Sequence, residues 1–281
     1  MFKILSKKEI ANNIRSFEIQ APDIAKRAKA GQFVILRIND NGERIPLTIA
    51  GADLSAGSVR IIVQEAGKTT AALCQMKEGD YIKDFVGPLG HATEIKNYGT
   101  VAAVAGGVGT AEVLPVIKAL KEEGNKVITI VGARCEDLLI LRDEIEAASD
   151  ELLIATDDGS CGRKGFVTDV LRDVVEKEAV NVVYAIGPVP MMKAVANLTK
   201  EKNIKTMVSL NPIMVDGTGM CGACRVSVDG EIKFACVEGP EFDAHKVNWE
   251  ELISRLAVFK DLEKISFEKF KSRGGCKCSQ G

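Results

Sequence analysis

Residues 211–236, NPIMVDGTGMCGACRVSVDGEIKFAC, hold three of the chain's eight cysteines, and their spacing limits what can form around them. Cys221 and Cys224 make a C-x2-C step, Cys236 follows after eleven residues, and Asp216 stands five positions before Cys221. The plant-type [2Fe-2S] pattern is C-x4-C-x2-C with a distant fourth ligand, so Asp216 occupies the slot of the first thiolate. Two bridged irons need four outward ligands; a wrapping loop supplies three and a following hairpin returns the fourth. Gly217, Gly219 and Gly222 allow the tight bends such a loop requires. Asp229-Gly230, between two alternating segments, is a hairpin signal that swings Cys236 back. Asp216, Cys221, Cys224 and Cys236 are therefore the expected metal ligands. Zinc and inert buried thiols are the alternatives, although neither a second C-x2-C nor a His pair is nearby. An Asp in a glycine-rich loop is also a common turn former.

The rest of the composition narrows the chemistry. A chain of 281 residues with 46% apolar and 27% charged residues is of ordinary globular character and long enough for about two domains. A net charge of −2 argues against a nucleic-acid partner held through its phosphates. No apolar run reaches membrane-spanning length and MFKILSKKEI lacks the apolar block of a signal peptide, so no membrane partner and a cytoplasmic location are expected. In that compartment cysteines serve as thiols or metal ligands rather than disulfides. His91 and His245 are the only histidines, which leaves little for His-based catalysis.

Along the chain, residues 1–98 show short β segments separated by turns, the pattern of a small antiparallel β-barrel. Two places in it could hold a ligand. Arg44, Pro46, Leu47 and Thr48 put a cation, a rigid residue and a hydroxyl in one extended step. Gly67, Lys68, Thr69 and Thr70 open a short helix whose amides could face an anion such as a pyrophosphate. A strand edge and an ordinary capped helix are the plain alternatives.

From residue 99 the period changes to strands alternating with helices, which implies a parallel sheet with ligands at the strand carboxyl ends. Those ends carry Gly106-Gly107-Val108-Gly109, Asp157-Asp158-Gly159 and Gly187-Pro188. Read as G-x-G-x-x-G from Gly107, the turn has Glu112 at the third glycine, so the dinucleotide fingerprint fails. What remains is a turn free of side chains, where Gly106, Gly107 and Gly109 would admit phosphate. Arg134 closes the second strand where an acidic ribose ligand is usual, so coenzyme choice stays open. The expected organisation is a barrel at 1–98, an α/β parallel-sheet nucleotide domain at 99–208, a small β-rich cluster domain at 209–245, and a C-terminal helix and tail at 246–281. One helix is expected from Asn248 through Lys264, with Glu251 at the capping-box position. Cys276 and Cys278 in the tail are read as non-functional, and Cys74, Cys135 and Cys161 as small hydrophobes.

Pro46-Leu47-Thr48, the closure Gly87 to Gly90, the turn Gly106 to Ala111, the ending Gly187 to Met191 and the cluster spacing occur in an order that resembles the ferredoxin-NADP reductase superfamily. More narrowly, the chain resembles the electron-transfer subunits that include the dihydroorotate dehydrogenase iron–sulfur subunit and the small subunit of NADH-dependent reduced ferredoxin:NADP+ oxidoreductase. The resemblance covers roughly residues 1 to 245. It implies FAD held by Arg44, Pro46, Leu47 and Thr48, by Ile62, Val63 and Gln64, and by Gly67, Lys68, Thr69 and Thr70. Ile45 stands where the family's Arg would be. It implies NAD(H) at Gly106, Gly107, Gly109, Thr110, Gly187, Pro188 and Met191, to which the strand ends add Arg134, Asp157 and Asp158 as candidates. Ile186 stands where many members have Cys, and Glu112 where they have Pro.

Asp216 matches the ferredoxin:NADP+ oxidoreductase small subunit and the similar sulfide dehydrogenase small subunit, whereas the dihydroorotate subunit is expected to carry Cys there. The implied protein is an iron–sulfur flavoprotein subunit of an electron-bifurcating heterodimer. It would exchange hydride with NAD(H) at FAD, tuned by Thr48 near flavin N5, and pass single electrons through [2Fe-2S]. Its partner would be a larger flavin and iron–sulfur subunit that reacts with ferredoxin. The alternative is an electron-transfer subunit of dihydroorotate dehydrogenase, sulfide dehydrogenase or hydrogenase.

Overall fold

A computed structural model of the chain describes residues 1–272. Cys276 and Cys278 lie outside the described residues.

The N-terminal part runs β1 (Phe2–Ala11), β2 (Ile14–Gln20), a single turn α1 (Pro22–Ala25), β3 (Phe33–Arg37), β4 (Ile45–Thr48), β5 (Gly51–Asp53), β6 (Ser58–Gln64), α2 (Lys68–Gln75), β7 (Tyr81–Ile82) and β8 (Asp84–Leu89). All pairings are antiparallel, in the orders β5-β6-β2-β1-β7 and β4-β3-β8. The two sheets close on one apolar core that includes Ile4, Phe17, Val34, Leu36, Val59, Ile61, Leu73 and Phe85. Apart from Leu36 and the helical Leu73, these are the β-branched and aromatic residues that suit a half-buried pleated surface. The expected barrel is present.

The second part contains β9 (Thr100–Gly106), α3 (Gly109–Glu122), β10 (Lys126–Ala133), α4 (Arg142–Ala147), β11 (Glu151–Thr156), β12 (Arg163–Lys164), α5 (Val167–Lys177), β13 (Val182–Ile186), α6 (Val189–Glu201) and β14 (Lys205–Ser209). With the later strand β17 (Glu241–Asp243), the sheet order is β12-β11-β10-β9-β13-β14-β17, parallel except at its last strand. Residues 101–105 of β9 are wholly buried because helices cover both faces, as a central parallel strand requires. The chain leaves β9 for one side of the sheet and returns to the other at β13. That reversal opens a crevice at the carboxyl ends of these two strands.

The last part contributes β15 (Arg225–Val228), β16 (Glu231–Phe234), β17 (Glu241–Asp243), α7 (Trp249–Ala257) and α8 (Lys260–Ser272). Asp229 and Gly230 take positive φ of 56° and 78° and join β15 to β16 as the expected two-residue hairpin. β17 pairs antiparallel with β14, so the segment after Cys236 also forms the edge of the nucleotide sheet. The Asn248 side chain accepts the Glu251 amide at 3.1 Å, the expected cap. The helix expected to continue through residue 264 instead breaks near Phe259. α7 buries Trp249 and Leu252, whereas α8 buries nothing fully and lies against α2 of the barrel. Among the described residues, no helix is long and apolar enough to cross a membrane.

Candidate functional site

The four cluster candidates come together in two pairs. Cys224 and Cys236, 1% and 2% exposed, hold their sulfurs 3.2 Å apart across the β15–β16 hairpin. Asp216 and exposed Cys221 face one another on the loop, where the carboxylate accepts the amides of Cys221 and Thr218, both at 2.9 Å. Asp216 thus also acts as the turn former that its setting suggested. The Thr218 amide, ahead of the Cys221 amide, holds its carboxyl below the usual range. Burial, reinforced by Cys224, pushes the Cys236 thiol up to about 12. Without a cation the Cys236 thiol stays protonated; ligation couples to loss of that proton. Among the described residues, no three His, Cys, Asp or Glu side chains are grouped to hold one metal ion. Two pairs of outward ligands are, however, what a two-iron cluster needs, one pair per iron, and the donor set fits that group.

The loop is fixed against the barrel. Gly217 has φ of +78°, and a Cβ there would stand 2.7 Å from Leu89 Cδ1 and 2.9 Å from Ile35 Cγ1. The His91 amide donates to Gly239 O at 2.7 Å, and Cys224 and Cys236 share a core with Phe33 and Ile35 of β3.

A second site lies where barrel and sheet meet. A cleft of about 400 Å³ is lined by Gln64 of the barrel and by Gly106, Gly107, Arg134, Asp157, Pro188 and Met191 of the nucleotide part. These seven sequence-derived candidates come together. Ile14, Gly132, Leu138 and Phe166 also line the cleft, although the sequence reading did not single them out. Phe166, directly before α5, is 65% exposed, a surface position that only the tertiary structure reveals. Of the three turn glycines only Gly107, with φ of +56°, faces open space. A Cβ on Gly106 would stand 2.6 Å from Met191 Sδ, and one on Gly109 only 2.3 Å from Ile186 O. Gly106 and Gly109 thus serve close packing, and Thr110 beside them is 1% exposed. Gly187 packs with φ of +154° against Gly106 backbone. Asp158 turns into its own loop, where Ser160 donates to it from both hydroxyl and amide, which lowers its carboxyl pKa.

The remaining barrel candidates do not line this cleft. Pro46, Leu47 and Thr48 lie on β4, half-buried, and Arg44 just before it reaches Asp84 at 4.0 Å. Ile62 and Val63 are buried, so any contact they make with a ligand is through backbone; Gln64 alone projects from the strand end. At α2 the amides of Ala66 and Gly67 donate to the Thr70 hydroxyl, which makes Thr70 a helix cap. Thr69 and Lys68 both donate to the Glu43 carboxylate, at 2.5 and 2.7 Å. The first turn of α2 therefore does face an anion, supplied here by a residue the sequence reading passed over.

Thr48 lies near Glu112, in the first turn of α3. Burial raises the Glu112 carboxyl pKa to about 7, against a smaller opposing effect of the Thr48 hydroxyl.

Comparison with known proteins places each part. Residues 1–93 match the oxidoreductase FAD-binding domain, residues 103–197 the oxidoreductase NAD-binding domain, and residues 211–248 the iron–sulfur cluster binding domain of dihydroorotate dehydrogenase B. The chain is 50% identical over 273 residues to the dihydroorotate dehydrogenase B (NAD(+)), electron transfer subunit homolog of Thermotoga maritima, covering 97% of this chain and 96% of that one. It is 33% identical over 256 residues to the corresponding electron transfer subunit of Desulforamulus reducens, covering 88% and 97%. Among solved structures, the NADH-dependent reduced ferredoxin-NADP oxidoreductase, studied for flavin-based electron bifurcation, superposes with a TM-score of 0.91 at 50% identity over 96% of this chain and 98% of that one. Phthalate dioxygenase reductase, at 19% identity and a TM-score of 0.58 over 81% and 85%, shares the fold. The chain belongs to the family of dihydroorotate dehydrogenase B electron transfer subunits, NAD(P)H-linked oxidoreductases with FAD-binding, NAD-binding and iron–sulfur domains.

Proposed function

We propose that this chain is the smaller subunit of a heterodimeric, electron-bifurcating NADH-dependent ferredoxin:NADP+ oxidoreductase. The observation that carries the reading is its 0.91 TM-score and 50% identity to a solved enzyme of that description, over nearly the whole of both chains. The pairing of Asp216 with Cys221 supports it, since a carboxylate in the first ligand slot suits this relative better than a dihydroorotate-type subunit.

In this reading Asp216 and Cys221 hold one iron and Cys224 and Cys236 the other. The barrel holds FAD through Arg44, Pro46, Leu47 and Thr48, backbone at Ile62 and Val63, Gln64, and the first turn of α2 from Gly67 to Thr70. NAD(H) enters the cleft between Gln64 and the Gly106–Gly107 turn, lined by Pro188, Met191, Arg134 and Asp157, with Gly109, Thr110 and Gly187 packed behind the turn and Asp158 shaping the loop next to Asp157. Bound FAD would convert hydride chemistry into one-electron transfer, and the cluster would carry single electrons onward. The chain's own contribution is placement. The shared core fixes the cluster loop on β3 and β8, while the crevice beside β9 aligns the nicotinamide with the barrel.

Cys221 is exposed, and Val215, Met220 and Val237 around it are 45%, 89% and 42% exposed. An apolar rim at the open corner of the cluster suits a covering subunit, which would be the larger flavin and iron–sulfur partner that reacts with ferredoxin.

The test is anaerobic purification from the native host. Co-purification of a larger flavin and iron–sulfur subunit, with NADH reduction of NADP+ dependent on reduced ferredoxin, is expected. A second reading, an electron-transfer subunit for dihydroorotate dehydrogenase, is favoured by the names of the curated relatives. Dihydroorotate-dependent NAD+ reduction by the purified complex would select it.

A further inference from the structure

We propose that Glu43 competes with the flavin diphosphate for the donors at the first turn of α2, so that flavin loading displaces the Glu43 side chain and is weakened by it. The inference rests on the reading of Gly67 to Thr70 as diphosphate ligands.

The side-chain donors that this reading gives to the diphosphate are already in use. Lys68 Nζ donates to Glu43 Oε1 at 2.7 Å, and Thr69 Oγ1 donates to Glu43 Oε2 at 2.5 Å. Each carboxylate oxygen thus takes one donor. Thr70 is engaged in its own cap, where its hydroxyl receives the amides of Ala66 and Gly67 and donates to Gly67 O at 3.0 Å. A lysine ammonium has three protons and can serve a second acceptor, but a hydroxyl has one. Buried Thr69 therefore donates either to Glu43 or to a phosphate oxygen, never to both at once. A carboxylate kept at this position would also face the diphosphate with like charge. One of the two anions has to leave.

Glu43 is placed to give way. It stands in the turn between β3 and β4, and its side chain is more than half exposed. The turn itself is held at its other end, where the Gly42 amide donates to Asn39 O at 3.0 Å, the Asn41 amide donates to Asn39 Oδ1 at 3.1 Å, and Asp40 pairs with Lys83. Rotating the Glu43 side chain into water leaves those bonds intact. An ion pair exposed to this degree contributes little, about fivefold in an equilibrium constant at its upper end.

The neighbouring cation stands in a different relation to its carboxylate. Arg44 reaches Asp84 at 4.0 Å, whereas Arg37 Nε already holds the same oxygen at 2.5 Å. Asp84 keeps its main partner when Arg44 turns to a phosphate. Lys68 and Thr69, by contrast, first have to release Glu43. A Glu43 that only braced α2 for the flavin would act with the opposite sign, since its removal would loosen the flavin instead of tightening it.

The experiment is equilibrium dilution of the purified protein, with released FAD read by its fluorescence, for the wild type, Glu43→Ala, Lys68→Gln, Thr69→Val and the Glu43→Ala/Thr69→Val pair. Glu43→Ala is expected to hold FAD about fivefold more tightly. In the Thr69→Val background the same change should gain less than about twofold, because the donor in dispute is gone. An unchanged or weaker affinity in Glu43→Ala overturns the proposal. So does a gain that stays near fivefold without the Thr69 hydroxyl, which would make Glu43 a bystander acting through charge alone. If the purified protein holds no FAD, or if Lys68→Gln and Thr69→Val leave its affinity unchanged, the reading of α2 as the diphosphate site fails and the proposal with it. If those two variants loosen FAD and Glu43→Ala does not tighten it, only the role of Glu43 fails.

Discussion

The Sγ atoms of Cys224 and Cys236 lie 3.2 Å apart in a core shared by the barrel and the nucleotide sheet. That separation is well beyond the roughly 2.0 Å of a disulfide, and both sulfurs are shielded from solvent. The same core includes Phe33 and Ile35 of β3, so the deepest ligands of the proposed cluster are braced by the domain that binds the flavin.

Replacing one of the buried sulfurs should remove the cluster and spare the flavin. Cys236→Ser is expected to lower iron and acid-labile sulfide to near background while FAD content changes by less than about twofold, because the barrel has its own core. Parallel iron, sulfide and flavin assays check this; full retention of iron would remove Cys236 from the ligand set.

At the exposed corner the expected change is one of degree. Asp216→Cys substitutes a softer thiolate for a hard carboxylate and loses the two loop hydrogen bonds from Thr218 and Cys221. A cluster should still assemble, with an altered midpoint potential in an EPR-monitored redox titration. An identical titration would show that Asp216 only shapes the loop.

Thr48→Val removes a hydroxyl from β4 without changing its volume much. FAD should be retained, and reduction by NADH in stopped flow should slow by about a hundredfold, the lower end for loss of one positioned hydrogen-bonding group. An unchanged rate would place Thr48 outside the reaction.

Much of this architecture was legible in the chain. The barrel, the parallel sheet and the Asp229-Gly230 hairpin follow from short-range pattern, because alternation and turn chemistry are written locally. Less legible were relations set by tertiary packing. Gly106 and Gly109 read as phosphate-admitting glycines, yet their missing side chains make room for Met191 and the Ile186 carbonyl. Glu43 precedes β4 in a loop and gave no sign that it would meet Lys68 and Thr69, about 25 residues on. Glu112 was visible only as a departure from a glycine pattern; its place near Thr48 depends on how barrel and sheet dock. The break near Phe259 likewise depends on α8 finding α2, which helical periodicity alone does not encode.

Close packing makes Gly109→Ala informative. Its Cβ would meet the Ile186 carbonyl at 2.3 Å, backbone that cannot rotate away. A loss of about 1–3 kcal/mol is expected from overpacking at such a site, read as a lower denaturant midpoint, together with weaker NADH binding. Unchanged stability would mean that the start of α3 shifts freely.

The pH dependence of stability follows from Glu241, whose carboxyl accepts the Thr93 hydroxyl at 2.6 Å and is raised to about 7 by burial. A carboxyl with a raised folded pKa binds its proton more tightly in the folded state. Its stabilising contribution is therefore complete below the unfolded value of 4.5 and is lost as pH rises to about 7. Denaturant midpoints of the wild type should fall across that window, and Glu241→Gln should flatten the decline. A variant whose curve parallels the wild type would contradict the assignment.

The most direct measurement is the absorption spectrum of the anaerobically purified chain, with flavin, iron and acid-labile sulfide assays and one addition of NADH. The account predicts about one FAD, two iron and two sulfide per polypeptide, with the flavin bands bleached by NADH. A colourless protein with neither labile sulfide nor flavin would contradict it.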